Sequence, residues 1–66
     1  MVIKVNGKDC LVSDVHSIGD LTRARGFPPG TVAVALNGSV IPSQEWDVTN
    51  LKPGDEVDLI RHVGGG

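Results

Sequence analysis

A single cysteine, Cys10, excludes an internal disulfide, so the fold must close on packing and hydrogen bonds alone. Tyrosine is absent and Trp46 is the one tryptophan, so nucleobase stacking has little support. Six Lys and Arg against eight Asp and Glu leave a net charge of −2, and only Arg23 and Arg25 stand close together. Phosphate binding wants a basic face, so nucleic acid is not expected as a partner. No apolar run approaches the ~20 residues that cross a bilayer, and Met1-Val2-Ile3-Lys4 is not a signal peptide. His16 and His62 lie far apart, and no Cys/His cluster has metal-ligand spacing. These absences predict a cytoplasmic protein with no metal, no membrane contact and, by default, a monomeric state.

Cys10 itself, in Asp9-Cys10-Leu11-Val12, has two readings. Free cysteine is among the most often buried residue types, which favours a strand thiol. A small enzyme using Cys10 with a histidine would lack a third orienting group.

What is present fits one small domain. The chain has 66 residues, 39% hydrophobic and 21% charged, which is ordinary for a globular protein. A chain this short buries only about 60% of its unfolded surface, so its stability is modest. Val2-Ile3-Lys4-Val5 is a β-branched run followed by Asn6-Gly7, a tight-hairpin signal, with a partner strand from Asp9 to Ser13. Ser17 and Asp20 form a capping-box pattern, Ile18 and Leu21 share a helix face with Thr22 and Arg25 near it, and Gly26 is the stop. Gly19 weakens this short helix by about 1 kcal/mol relative to alanine.

Thr31 to Leu36 alternates. Val32, Val34 and Leu36 form a heavy face for the core, and Ala33 and Ala35 form a small face open to another molecule. Asn37-Gly38 signals a second hairpin into Val40-Ile41. A helical turn at Gln44-Glu45-Trp46 follows, with Trp46 in the core and Val48 and Leu51 packed beneath. After Lys52-Pro53-Gly54-Asp55, the last strand puts Val57 and Leu59 on the core face and Ile60 beside Ala33 and Ala35. The expected core is Ile3, Val5, Ile18, Leu21, Val32, Val34, Leu36, Val57 and Leu59. Hairpins around one helix predict an α+β roll, a mixed sheet of four to five strands with the helix across one face.

The chain then ends in Val63-Gly64-Gly65-Gly66. Glycine has no Cβ and presents almost no cross-section, so the stretch reads as a slender arm reaching on the order of 13 Å when extended. Small residues also collect at inert chain ends. The strand directly before it, Glu56 to His62, favours a functional arm. The division is therefore residues 1–62 as the domain and 63–66 as a flexible tail.

Val32-Ala33-Val34-Ala35-Leu36-Asn37, Val40-Ile41-Pro42 with Trp46 four residues on, Gly54-Asp55-Glu56-Val57 and the Gly65-Gly66 end, taken in that order, resemble the ThiS family of sulfur carriers of thiamine biosynthesis. The resemblance runs over essentially the whole chain and implies a ubiquitin-like β-grasp. It implies that Gly66 is adenylated by a ubiquitin-activating-like adenylyltransferase (ThiF-type) using ATP. A cysteine-persulfide donor would then convert it to a thiocarboxylate that supplies sulfur to a thiazole synthase (ThiG-type). Gly64 and Gly65 would enter the partner's active site, and Ala33, Ala35 and Ile60 would form the docking face. The chain would be a protein-bound sulfur donor, not an enzyme, with no cofactor of its own. Gly64 is one glycine more than the family's usual Gly-Gly end, and Ser43 stands where many members carry a basic residue. Two alternatives share the same residues: a small subunit of molybdopterin synthase, and a ubiquitin-like adaptor with an inert tail.

Overall fold

The computed structural model describes residues 1–28 and 30–61. Strand β1 (Val2–Val5) turns at Asn6 and Gly7, with φ of 53° and 83°, and returns as β2 (Lys8–Leu11). Both turn residues occupy the left-handed region that a two-residue hairpin requires, which asparagine and glycine tolerate. β2 ends at Leu11, earlier than expected. Beyond it Val12 extends the ladder by one residue, its N–H donating to the Met1 carbonyl and its carbonyl accepting from the Met1 amino group at 3.0 Å, and Asp14 turns the chain with a φ of 58°.

Helix α1 (Ile18–Arg25) begins and ends as its residues dictate. The Asp20 N–H donates to Ser17 Oγ at 3.1 Å, and the Ser17 N–H donates back to the Asp20 carboxylate at 3.3 Å. Gly26 takes a left-handed conformation and its N–H closes on the carbonyls of Arg23 and Thr22. Ile18, Leu21 and Thr22 are buried, whereas Arg25 is exposed.

β3 (Val32–Leu36) turns at Asn37-Gly38 into β4 (Ser39–Ile41), a 3-10 helix spans Ser43–Val48, and β5 runs Glu56–Arg61. The five strands lie in the order β2-β1-β5-β3-β4. The two hairpins are antiparallel, β3 pairs β5 antiparallel, and β1 pairs β5 parallel. A parallel pair needs a long crossover, and here the whole chain between β1 and β5, including α1, supplies it. A five-stranded mixed sheet holding one helix against one face is the ubiquitin-like β-grasp.

Ile3, Ile18, Leu21, Val34 and Val57 are fully buried, joined by Val5, Val15, Val32, Trp46 and Leu51. Some residues depart from expectation. Leu59 and Leu36 pack against this core but are only partly buried. β1 pairs β5 only through Lys4↔Glu56 and Val5↔Val57, so Leu59 lies beyond its end; Leu36 closes β3 at the Asn37-Gly38 turn. Val48 is 76% exposed, because a 3-10 helix repeats every ~3 residues and Trp46 takes the inward position.

Gly19 also has a structural reason. A Cβ there would run into the Asp47 carboxylate, so glycine lets the 3-10 helix sit close on α1. Gly19→Ala, worth about 1 kcal/mol of gain in an unpacked helix, is expected to bring none here because Asp47 must leave Arg23 to make room. A thermal melt checks this, and a Tm several degrees higher would show that Asp47 yields freely.

Candidate functional site

Gly64, Gly65 and Gly66, with His62 and Val63, lie outside the described residues. The structure describes what precedes them: the strand from which they continue and the sheet face beside it.

β5 is held from both sides by the two hairpin asparagines. The Asn6 N–H donates to the Val57 carbonyl at 2.9 Å, and Asn6 Oδ1 accepts from the Leu59 N–H at 2.8 Å. On the other flank the Asn37 N–H donates to the Glu56 carbonyl at 2.7 Å, and Asn37 Oδ1 accepts from the Glu56 N–H at 2.9 Å. Asn37 Nδ2 donates in turn to Asp55 Oδ1 at 3.2 Å. The sequence marks both asparagines only as turn residues; that their amides cap backbone groups of β5 depends on strand order, which no local pattern encodes. The result is a central strand whose backbone is tied down before the chain reaches Arg61.

The face of the sheet away from α1 carries the expected docking residues. Ala33 lies opposite Ile60 in register, so these two are brought together as read from the sequence. Ile60 is 55% exposed and Ala33 is partly buried. Ala35 is a correction: it is buried, at 8% exposure. It sits in register between Asp58 on β5 and Val40 on β4, and a methyl group is too short to rise above them. Val40, to which no face was assigned from sequence, is 71% exposed and takes its place. Among the described residues, Ile60, Ala33 and Val40 therefore form one exposed apolar patch with Asp58 at its margin, and the exposed Val2–Leu11 pair lies on the same face at the β1–β2 end. Farther along the same face, Lys4 stands in register between Asp9 and Glu56.

The helix side looks different. Arg23 bridges Asp20 and Asp47, 2.9 Å from each, and so links α1 to the 3-10 helix. The Asp20 carboxyl is held below its ordinary value first by the His16 N–H and then by Arg23, and Arg23 is raised by Asp47 and Asp20. These groups are largely exposed, so the bridge orients more than it stabilises. An open cleft of about 360 Å³ between Gly19, Thr22, Phe27 and Trp46 lies beside it. Trp46 shows little of its ring, being 4% exposed with Nε1–H donating to the Ile41 carbonyl at 2.9 Å. Cys10 is partly buried on β2, and its Sγ accepts from Arg25 Nη2 at 3.2 Å. Among the described residues no group of His, Cys, Asp and Glu could hold a metal ion, and no helix is long and apolar enough to cross a membrane.

The family model that matches this chain is that of the ThiS family, over residues 2–66. The chain belongs to the ThiS family. A solved ThiS-family structure, the thiamine biosynthesis protein (ThiS) from Geobacter metallireducens, is 35% identical and superposes with a TM-score of 0.81. The similarity covers 100% of both chains. No curated protein sequence matches the chain. Ser43, at which a departure from the family is expected from the sequence, opens the 3-10 helix as an exposed residue.

Proposed function

We propose that this chain is a sulfur carrier of thiamine biosynthesis whose reactive group is the carboxylate of Gly66. The observation that carries the reading is a ThiS-family fold in which β5, fastened by Asn6 and Asn37, ends at Arg61 one residue before Val63-Gly64-Gly65-Gly66 in the sequence. A carboxylate is a poor electrophile until it bears a good leaving group. Adenylation by a ThiF-type enzyme with ATP supplies one, AMP, with release of pyrophosphate. The outer sulfur of a cysteine persulfide then displaces AMP at the carbonyl carbon to give an acyl disulfide, and a second thiol of the donor system attacks the donor-side sulfur, breaking the S–S bond to free the thiocarboxylate and leave a donor disulfide. The thiocarboxylate passes its sulfur to a ThiG-type thiazole synthase. Gly64 and Gly65 carry no side chain that would obstruct a narrow channel. The catalytic groups belong to the partners, and the carrier is their substrate. The Geobacter neighbour, named for thiamine biosynthesis, supports this pathway over the molybdenum-cofactor one.

Docking falls to Ile60, Ala33 and Val40, with buried Ala35 setting the flatness of the face beneath them. The decisive test is the intact mass after incubation with the adenylyltransferase, ATP and a sulfur donor, where exchange of oxygen for sulfur adds about 16 Da. An unchanged mass would refute the carrier reading. Ile60→Asp is expected to raise the Kd for the adenylyltransferase about tenfold or more, since it puts a charge at the centre of an apolar contact. Its Tm should stay near wild type because Ile60 is mostly exposed. Titration calorimetry beside a melt separates the two effects.

A further inference from the structure

Beyond Leu59, whose N–H is held by Asn6 Oδ1, the end of β5 is supported on one side only. β1 stops pairing at Val5↔Val57, whereas β3 continues through Leu59, Ile60 and Arg61 to the Val32↔Arg61 pair. A strand end with one flank opens more readily than a central strand, so something else has to set where β5 stops being rigid. The Arg61 guanidinium lies over the ring of Phe27, 5.6 Å from its centroid. Phe27 is itself anchored: its N–H donates to the Thr22 carbonyl at 2.8 Å behind the Gly26 cap, and its side chain packs against the core. Phe27 and Arg61 also wall one open cleft of about 500 Å³ with Pro28, Thr31 and Val32, at the end of the sheet from which the glycine stretch continues.

We infer that Arg61 and Phe27 are positioning residues for sulfur loading, a cation–aromatic clamp that fixes the root of the arm ending in Gly66. This rests on the carrier reading above. With the clamp closed, β5 is held through Arg61, and five residues, His62 to Gly66, separate the clamp from the reactive carbonyl. With it open, β5 can peel back toward Leu59, and the last fixed point of the strand lies farther from that carbonyl. Docking, which uses the opposite face at Ile60 and Val40, does not require the clamp, because Arg61 and Phe27 lie on the helix side. Loss of the clamp therefore acts on turnover, with affinity untouched.

The test compares Arg61→Gln, Phe27→Leu, the double variant and Arg61→Lys. Arg61→Gln and Phe27→Leu are each expected to speed amide exchange at Leu59 and Ile60 about two- to fivefold, the range of one exposed cation–aromatic contact. Each should also lower kcat for thiocarboxylate formation by about the same factor, with KM for the carrier unchanged. The double variant should match the singles, and Arg61→Lys, which keeps a cation over the ring, should recover most of both losses. Melting curves control for general destabilisation through Phe27. Wild-type exchange in Arg61→Gln, or an Arg61→Lys no better than Arg61→Gln, would overturn the clamp. If exchange responds as expected but kcat does not, the positioning role is overturned while the contact stands. If wild-type protein gains no sulfur, the carrier reading fails, and the exchange arm alone decides whether the clamp exists.

Discussion

Deleting Gly66 is expected to lower thiocarboxylate formation about a hundredfold while leaving the melting curve unchanged. The variant still ends in glycine, so no steric block is introduced, but the arm is shorter by ~3.5 Å. Misplacing a reacting atom by about 1 Å can by itself cost 10²-fold, so the lost length outweighs the kept chemistry. Appending an alanine after Gly66 is expected to abolish modification altogether. The new carboxylate overshoots, and the Gly66 carbonyl becomes an amide with no leaving group to activate. Neither change reaches the buried cluster, so thermal stability is the internal control. Intact-mass measurement with the adenylyltransferase, ATP and a sulfur donor reads the outcome, and full conversion of both variants would remove Gly66 as the specific acceptor. An adaptor with an inert tail would behave oppositely, binding its partner through the Ile60–Ala33–Val40 face whatever the length of the arm.

Trp46→Ala is expected to be the most damaging single truncation in the described domain. Removing a buried aromatic costs about 3–5 kcal/mol, and here the Ile41 carbonyl also loses its indole donor. Against ~0.05–0.15 kcal/mol per residue for the whole fold, a 66-residue chain has little reserve, so a large unfolded fraction at 37 °C is expected. Leu36→Ala, at a partly buried position, should cost distinctly less. Urea denaturation of the two variants side by side measures the difference. Equal losses would mean that Leu36 and not Trp46 carries the edge of the core.

Much of the fold was legible because its signals are local. Ser17, Asp20 and Gly26 start and stop α1 through bonds among near neighbours, and Asn6-Gly7 and Asn37-Gly38 turn the chain through their own backbone preferences. The alternation from Val32 to Leu36 placed Val32 and Val34 inside because a strand's period is two whatever surrounds it. The misjudged residues are those whose burial depends on neighbours. Ala35 sinks between Asp58 and Val40, Leu59 outruns β1, and Val48 follows a 3-10 rather than an α period. The glycines of the arm were equally plain in the sequence, and they lie outside the described residues.

Propensities acting over a few residues are enough to set the helix boundaries, the two hairpins and the heavy and light faces of β3, and the glycine end is plain in the composition of the last residues. The strand order that puts β5 between β1 and β3 comes instead from packing across the whole fold. That order turns the two hairpin asparagines into clasps on β5, replaces Ala35 by Val40 on the apolar face and lays Arg61 over Phe27. The reason is that these contacts join residues far apart in the chain. Their geometry follows from how the whole core closes around Ile3, Leu21, Val34 and Val57, and no stretch of sequence specifies that alone.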